Sequence, residues 1–121
     1  MNAPASMQAE RRGDHVVVSL WGELDVFNAA AMTTSIESAV PADAHGAVLD
    51  LTGLGFVDST AIRKLFAVVA RRTERRQRVC VVSPQGSSVM RTLELVEFSR
   101  AAPMHDTLGE ALAHLDDKSS N

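Results

Sequence analysis

"AVLDLTGLGFVDSTAIRKL", residues 47–65, changes its hydrophobic rhythm partway through, and that change decides the fold class. The largely apolar run from Ala47 to Leu51 reads as a short buried strand, with Gly53 and Gly55 punctuating the loop expected after it. From Ser59 onward Ile62, Leu65, Phe66 and Val69 recur at three- and four-residue steps, which predicts an amphipathic helix. Arg63, Lys64, Arg71 and Arg72 fall off that stripe and are expected to point elsewhere.

The same alternation of strand and helix extends in both directions. Upstream, "HVVVSLWGELD" carries a β-branched apolar run from Val16 to Trp21 that halts at Gly22, a strand followed by a turn. "NAAAMTTSIESAV" then places Ala29, Met32, Ile36 and Ala39 or Val40 at helical spacing, with Asn28 able to cap the first turn and Pro41 stopping the helix. Downstream, Arg78–Val82 of "RVCVVSP" reads as a second apolar strand ended by Pro84-Gln85-Gly86. "SSVMRTLELVEF" sets Val89, Leu93 and Val96 at helical spacing behind a cap at Ser87 or Ser88, and "HDTLGEALAHLDD" turns Leu108, Ala111 and Leu115 inward. Strands separated by helices of ten or more residues predict an α/β domain with at least partly parallel strands, since parallel neighbours need such crossovers.

With 121 residues, 45% of them hydrophobic, the chain suffices for one compact domain, taken as residues 1–121 with an ordered core of about 8–116 and both ends flexible. The polar start is expected to fray. A formal net charge of −3 gives no global attraction to nucleic acid or to an anionic membrane. No window reaches the ~18 apolar residues of a membrane helix, and no signal-peptide core is present, so an unexported, cytoplasmic protein is expected. The lone cysteine, Cys80, offers neither a disulfide nor a thiol pair for a metal.

Asp58-Ser59-Thr60 is where chemistry could reside. Ser, Thr and Asp are favoured helix caps, and locally that reading dominates. Yet a helix N-terminus also presents free amides and a positive dipole end, so a phosphate on Ser59 would be tolerated there while adding roughly −1.5 to −2 charges. Catalytic readings find less support. Ser59 lies outside a Gly-x-Ser-x-Gly elbow, "GLGFVDST" lacks the Lys of a nucleotide loop, and His15, His45, His105 and His114 have no triad or metal spacing and read as separate surface residues. The run "RRTERRQR" sits at a helix end, where cations complement the dipole, and has no interleaved aromatics to suggest nucleic-acid binding. No enzyme activity, cofactor or metal is expected.

Taken together, "VVVSLWGELDVFNAAAM", "AVLDLTGLGFVDSTAIRKL" and "RVCVVSP" resemble a STAS domain of the bacterial anti-sigma-factor-antagonist type, from about His15 to Leu115. The Gly-Glu-Leu-Asp turn (Gly22–Asp25) and the Phe-x-Asp-Ser-Thr segment (Phe56–Thr60) carry the resemblance. It implies a small α/β fold with a mixed sheet of four or five strands and helices mainly on one side. It also implies partner switching: the unphosphorylated protein binds a GHKL-type anti-sigma factor kinase and frees a sigma factor, phosphorylation by that kinase ends binding, and a PP2C-type phosphatase reverses it. By this resemblance Ser59 is the phosphoacceptor, with Thr60 in reserve. Asp58 is the acidic neighbour presented to the kinase, and Asp25 lies near the acceptor and helps meet the partner. The family usually has Gly and then Leu-Gly where Ala61, Ile62 and Arg63 stand, so Ala61 and Arg63 are expected to bear on partner choice. The family's breadth leaves a second reading, an accessory STAS subunit of a lipid or anion transporter without the phosphoswitch.

Overall fold

Val16, Val18 and Leu20 alternate with Val17 along one extended segment, so the two sets face opposite sides of a sheet, and each side must be covered. In the computed structural model, which describes residues 4–117, both sets are buried, in two separate cores. The elements are β1 (Ser6–Arg12), β2 (His15–Leu24), α1 (Ala29–Ala39), β3 (Gly46–Val57), α2 (Ser59–Glu74), β4 (Arg78–Val82), α3 (Ser88–Leu95), a 3₁₀ turn (Phe98–Arg100), β5 (Met104–His105) and α4 (Leu108–Asp116). Spatial order follows chain order, β1-β2-β3-β4-β5. The first pair is antiparallel and the other three are parallel, giving the expected mixed sheet.

Helices α1, α2 and α3 pack on the face that carries Val16, Val18, Leu20, Leu49 and Val81. Helix α4 covers the other face through Ala111 and Leu115, over Val17, Val48, Cys80 and Val82. Sequence patterning anticipated the helices well: Ser87 caps α3 by accepting from the Met90 amide at 3.1 Å, and Val40-Pro41 ends α1. Among the described residues no helix is long and apolar enough to cross a membrane.

Several readings need correction. The start expected to fray supplies an edge strand: β1 pairs with β2 from Ser6↔Trp21 to Arg12↔His15. Its residues are mostly exposed, so it carries no apolar run to betray it. (Residues 1–3 and 118–121 lie outside the described set.) The strand expected to end at Leu51 runs on to Val57, pairing with an equally extended β2 through bulges near Trp21 and Gly22. Gly22 has φ +91 and sits against the backbone of Pro4, and Gly53 lies under the Trp21 indole, so these two glycines are close-approach points within strands, whereas Gly55, also within β3, faces open space. Val96 is not inward; it caps the C-terminus of α3 in solvent. Asn28 occupies the N-cap of α1 without capping it: its side chain instead accepts from the Asp25 amide and donates to the Glu23 carbonyl.

Arg72, expected to point away from the core, is 3% exposed. Its Nε lies 3.1 Å from Glu37 on α1, and another guanidinium nitrogen donates to Gln77 Oε1 at 3.2 Å. Gln77 in turn donates to the carbonyls of Pro41 and Ala44. Arg71 also pairs with Glu37, so part of the arginine run fastens α2 to α1 instead of solvating a helix end.

Candidate functional site

In an open α/β sheet the loops leaving the carboxyl ends of the strands are where helix N-termini present unpaired amides. Here the β2–α1 loop and the β3–α2 junction lie side by side, because Leu24 pairs with Val57 at the ends of the two strands. Asp58 joins them. One carboxylate oxygen accepts from the Ala61 amide at 2.8 Å, capping α2, and the other accepts from the Val26 amide at 2.8 Å, anchoring the loop. The Asp58 amide also donates to the Leu24 carbonyl.

Asp25 is buried within its own turn, where its carboxylate accepts from the amides of Phe27 at 2.9 Å and Asn28 at 3.3 Å. The Asp25 carbonyl accepts from the Ala29 amide at 2.8 Å. Both acidic residues singled out from the sequence therefore shape the β2–α1 loop. Much of their hydrogen-bonding capacity is spent on backbone amides, and Asp58 directly precedes Ser59 in the chain.

Ser59 is the first residue of α2 and is exposed. The Ala61 amide is taken by the Asp58 side chain and the Ile62 amide by the Asp58 carbonyl, so the amides of Ser59 and Thr60 are those at the helix start that intrahelical bonding leaves over. Thr60 is half-buried, and its hydroxyl accepts from the Arg63 guanidinium at 3.4 Å. Arg63 is exposed and, at i+4, lies on the same side of the helix as Ser59. Ala61 is fully buried, so the extra methyl relative to the usual glycine is absorbed by the core.

Sequence reasoning passed over the apolar rim of this site. The loop that Asp58 anchors holds Val26 55% exposed and Phe27 91% exposed, and Phe56, paired with Glu23, is 45% exposed. Phenylalanine is seldom left so open on a monomer surface, and this exposure beside a hydroxyl-bearing helix start suits a protein-binding face. The signal was present as "VF" in a turn-rich segment, but only the tertiary structure shows that, among the described residues, no element covers it.

The histidines also depart from the expectation of separate surface residues. His45 is exposed, but His15 is buried, with Nε2 2.9 Å from Asp116. His105 Nε2 and His114 Nδ1 face each other at 3.0 Å, with ring centroids 5.0 Å apart. Desolvation, then the neighbouring His114, hold the His105 pKa below its usual value against the opposing pull of Glu110. Burial pushes the nearby Cys80 thiol up to about 11, against the lowering influence of Arg78.

Comparison with known proteins places these features in context. Residues 6–111 match the STAS domain family. The anti-sigma-F factor antagonist RsfB of Mycobacterium tuberculosis is 29% identical over 115 residues, covering 93% of this chain and 92% of RsfB. Among solved structures, an anti-sigma factor antagonist from Mycobacterium paratuberculosis superposes with a TM-score of 0.84 at 24% identity, over 94% of this chain and 96% of that one. The phosphorylated form of the Bacillus cell fate determinant SpoIIAA superposes with a TM-score of 0.62 at 19% identity, over 91% and 99% of the two chains. At these identities the structural likeness concerns the fold.

Proposed function

The chain belongs to the STAS domain family, and from that premise we propose that it is a cytoplasmic anti-sigma factor antagonist switched by phosphorylation of Ser59. In this reading the unphosphorylated form binds an anti-sigma factor of the GHKL serine-kinase type and releases a sigma factor. That kinase phosphorylates Ser59, binding ends, and a PP2C-type phosphatase restores it. The protein is thus a binding module, not an enzyme.

One observation carries the reading: the exposed Ser59 hydroxyl stands at the N-terminus of α2, next to a loop that holds Phe27 91% exposed. An aromatic anchor and a modifiable hydroxyl on one face make binding and its control the same event. The apolar rim gains free energy only when a partner dries it. A phosphate bringing roughly −1.5 to −2 charges would have to be desolvated in that contact, which opposes it. Without a partner the phosphate is well placed, facing the Ser59 and Thr60 amides with Arg63 one turn on. Thr60, half-buried and hydrogen-bonded to Arg63, is the poorer acceptor.

The test is affinity capture from native lysate with wild type and Ser59→Glu side by side, followed by phosphotransfer from the captured kinase and ATP. Wild type is expected to retain a GHKL-type partner that Ser59→Glu loses, and to gain one phosphate that Ser59→Ala does not. Labelling of Ser59→Ala as full as that of wild type, or equal affinity of the phosphorylated and unphosphorylated forms, would overturn the reading.

A further inference from the structure

On the face of the sheet opposite α2, three side chains far apart in the sequence converge. Cys80 is central in β4, His105 ends β5, and His114 lies in the last turn of α4. The parallel register Val82↔His105 puts His105 on the same face as Val82 and Cys80, since directly paired residues point the same way and residues two apart share a face. Helix α4 packs on that face through Ala111 and Leu115, which brings His114 alongside. One donor atom from each of the three, the Cys80 sulfur included, lies within 4.8 Å of the other two.

We propose that Cys80, His105 and His114 form a binding site for a divalent transition-metal ion of the zinc class, tying α4 to the β4–β5 edge of the sheet. The donor chemistry selects the ion: one sulfur and two imidazole nitrogens, with no hard oxygen among them, suit zinc, cobalt or copper and not magnesium or calcium. The geometry is close to what coordination needs. Bonds of about 2.0–2.1 Å to nitrogen and about 2.3 Å to sulfur at tetrahedral angles place two nitrogens roughly 3.3 Å apart, and sulfur roughly 3.6 Å from each nitrogen. The two imidazoles already face each other at 3.0 Å. They need only part by a few tenths of an ångström while the thiol closes in by an adjustment on the scale of one side-chain rotation.

An approach route is also present. A cleft of about 340 Å³ is lined by Cys80, His114, Ala101 and Pro103, which opens the site on one side and leaves a fourth position for water. Arg76 and Arg78 line it as well, and Arg78 is engaged by donating to the carbonyls of Leu115 at 3.0 Å and His114 at 3.2 Å. On binding, the proton between the two imidazoles moves to the far nitrogen of the ring that carries it, and the Cys80 thiol gives up its proton to water. The balance is one metal ion taken up and one proton released.

The experiment uses the full chain, cleared of metal by chelation, titrated with Co²⁺ and then Zn²⁺. The expected result is saturation at one ion per chain, with a thiolate-to-cobalt charge-transfer band that Zn²⁺ removes and Ca²⁺ does not. Cys80→Ser is expected to abolish that band. His114→Gln, a change at a half-buried helix position whose fold is checked by circular dichroism, is expected to weaken binding beyond the ~10–100-fold that loss of even an outer-shell partner costs. Zn²⁺ should also raise the melting temperature of wild type and leave that of His114→Gln unchanged. Absence of the charge-transfer band at stoichiometric Co²⁺, or a band and affinity unaltered in both His105→Gln and His114→Gln, would overturn the proposal.

Discussion

Replacing Asp58 separates its part in building the site from any part in meeting a kinase. Each carboxylate oxygen accepts one backbone amide at 2.8 Å, from Ala61 in α2 and from Val26 in the β2–α1 loop. Loss of the cap in Asp58→Ala costs about 0.5–2 kcal/mol. Loss of the Val26 hydrogen bond, at a solvent-exposed residue where water can substitute, adds about 0.5–1.5 kcal/mol. The alanine variant is therefore expected to be about 1–3.5 kcal/mol less stable than wild type. Asp58→Asn divides the two terms, because asparagine caps a helix as well as aspartate but has one acceptor oxygen instead of two. It should keep the Ala61 contact, lose the Val26 contact and fall between wild type and alanine. Urea denaturation followed by Trp21 fluorescence gives the stabilities, and hydrogen exchange at the Val26 amide reports the loop directly. Equal stability of all three proteins, or Val26 exchange unchanged in both variants, would refute the claim that Asp58 holds the loop to the helix.

Four further substitutions test other parts of the structure. Phe27→Ser should change stability by no more than about 0.5 kcal/mol, the range for a surface position, yet weaken capture of the anti-sigma factor by about tenfold or more if Phe27 anchors the partner; calorimetry with the captured partner reads the second effect. Gly53→Ala places a methyl 2.2 Å from the Trp21 ring and 2.8 Å from the Leu20 carbonyl, so it should cost about 1–3 kcal/mol and shift Trp21 emission as the indole is displaced. Arg72→Ala should cost about 2–4 kcal/mol in chemical denaturation, because it removes buried packing and leaves Glu37 and Gln77 short of a partner, whereas Arg71→Ala at an exposed position should cost about 0.5 kcal/mol or less.

Much of the fold was legible in local patterns. Continuous apolar runs at Val16–Val18 and Val79–Val82 and the three- and four-residue steps through Ile62, Leu65 and Val69 each reflect burial of one segment's own face, so they can be read without knowing what lies opposite. Ser59 at a helix start was legible for the same reason, since capping chemistry is local. The edge strand Ser6–Arg12 left little apolar trace, because it owes its form to backbone pairing with β2, which does not depend on side-chain type. Gly53 read as a loop marker because a glycine makes its own conformation easy, while the reason for this one, the Trp21 ring over it, comes from the neighbouring strand.

By itself, then, the sequence determined the alternation of strands and helices and the placing of a hydroxyl at the start of α2. Only the tertiary structure decided that Asp58 would join that helix to the loop bearing an exposed Phe27, that Arg72 would be buried against Glu37, and that Cys80, His105 and His114 would meet. The physical reason is range: periodicity and capping act within a few residues, whereas these contacts are set by strand register and helix docking between segments separated by up to dozens of positions.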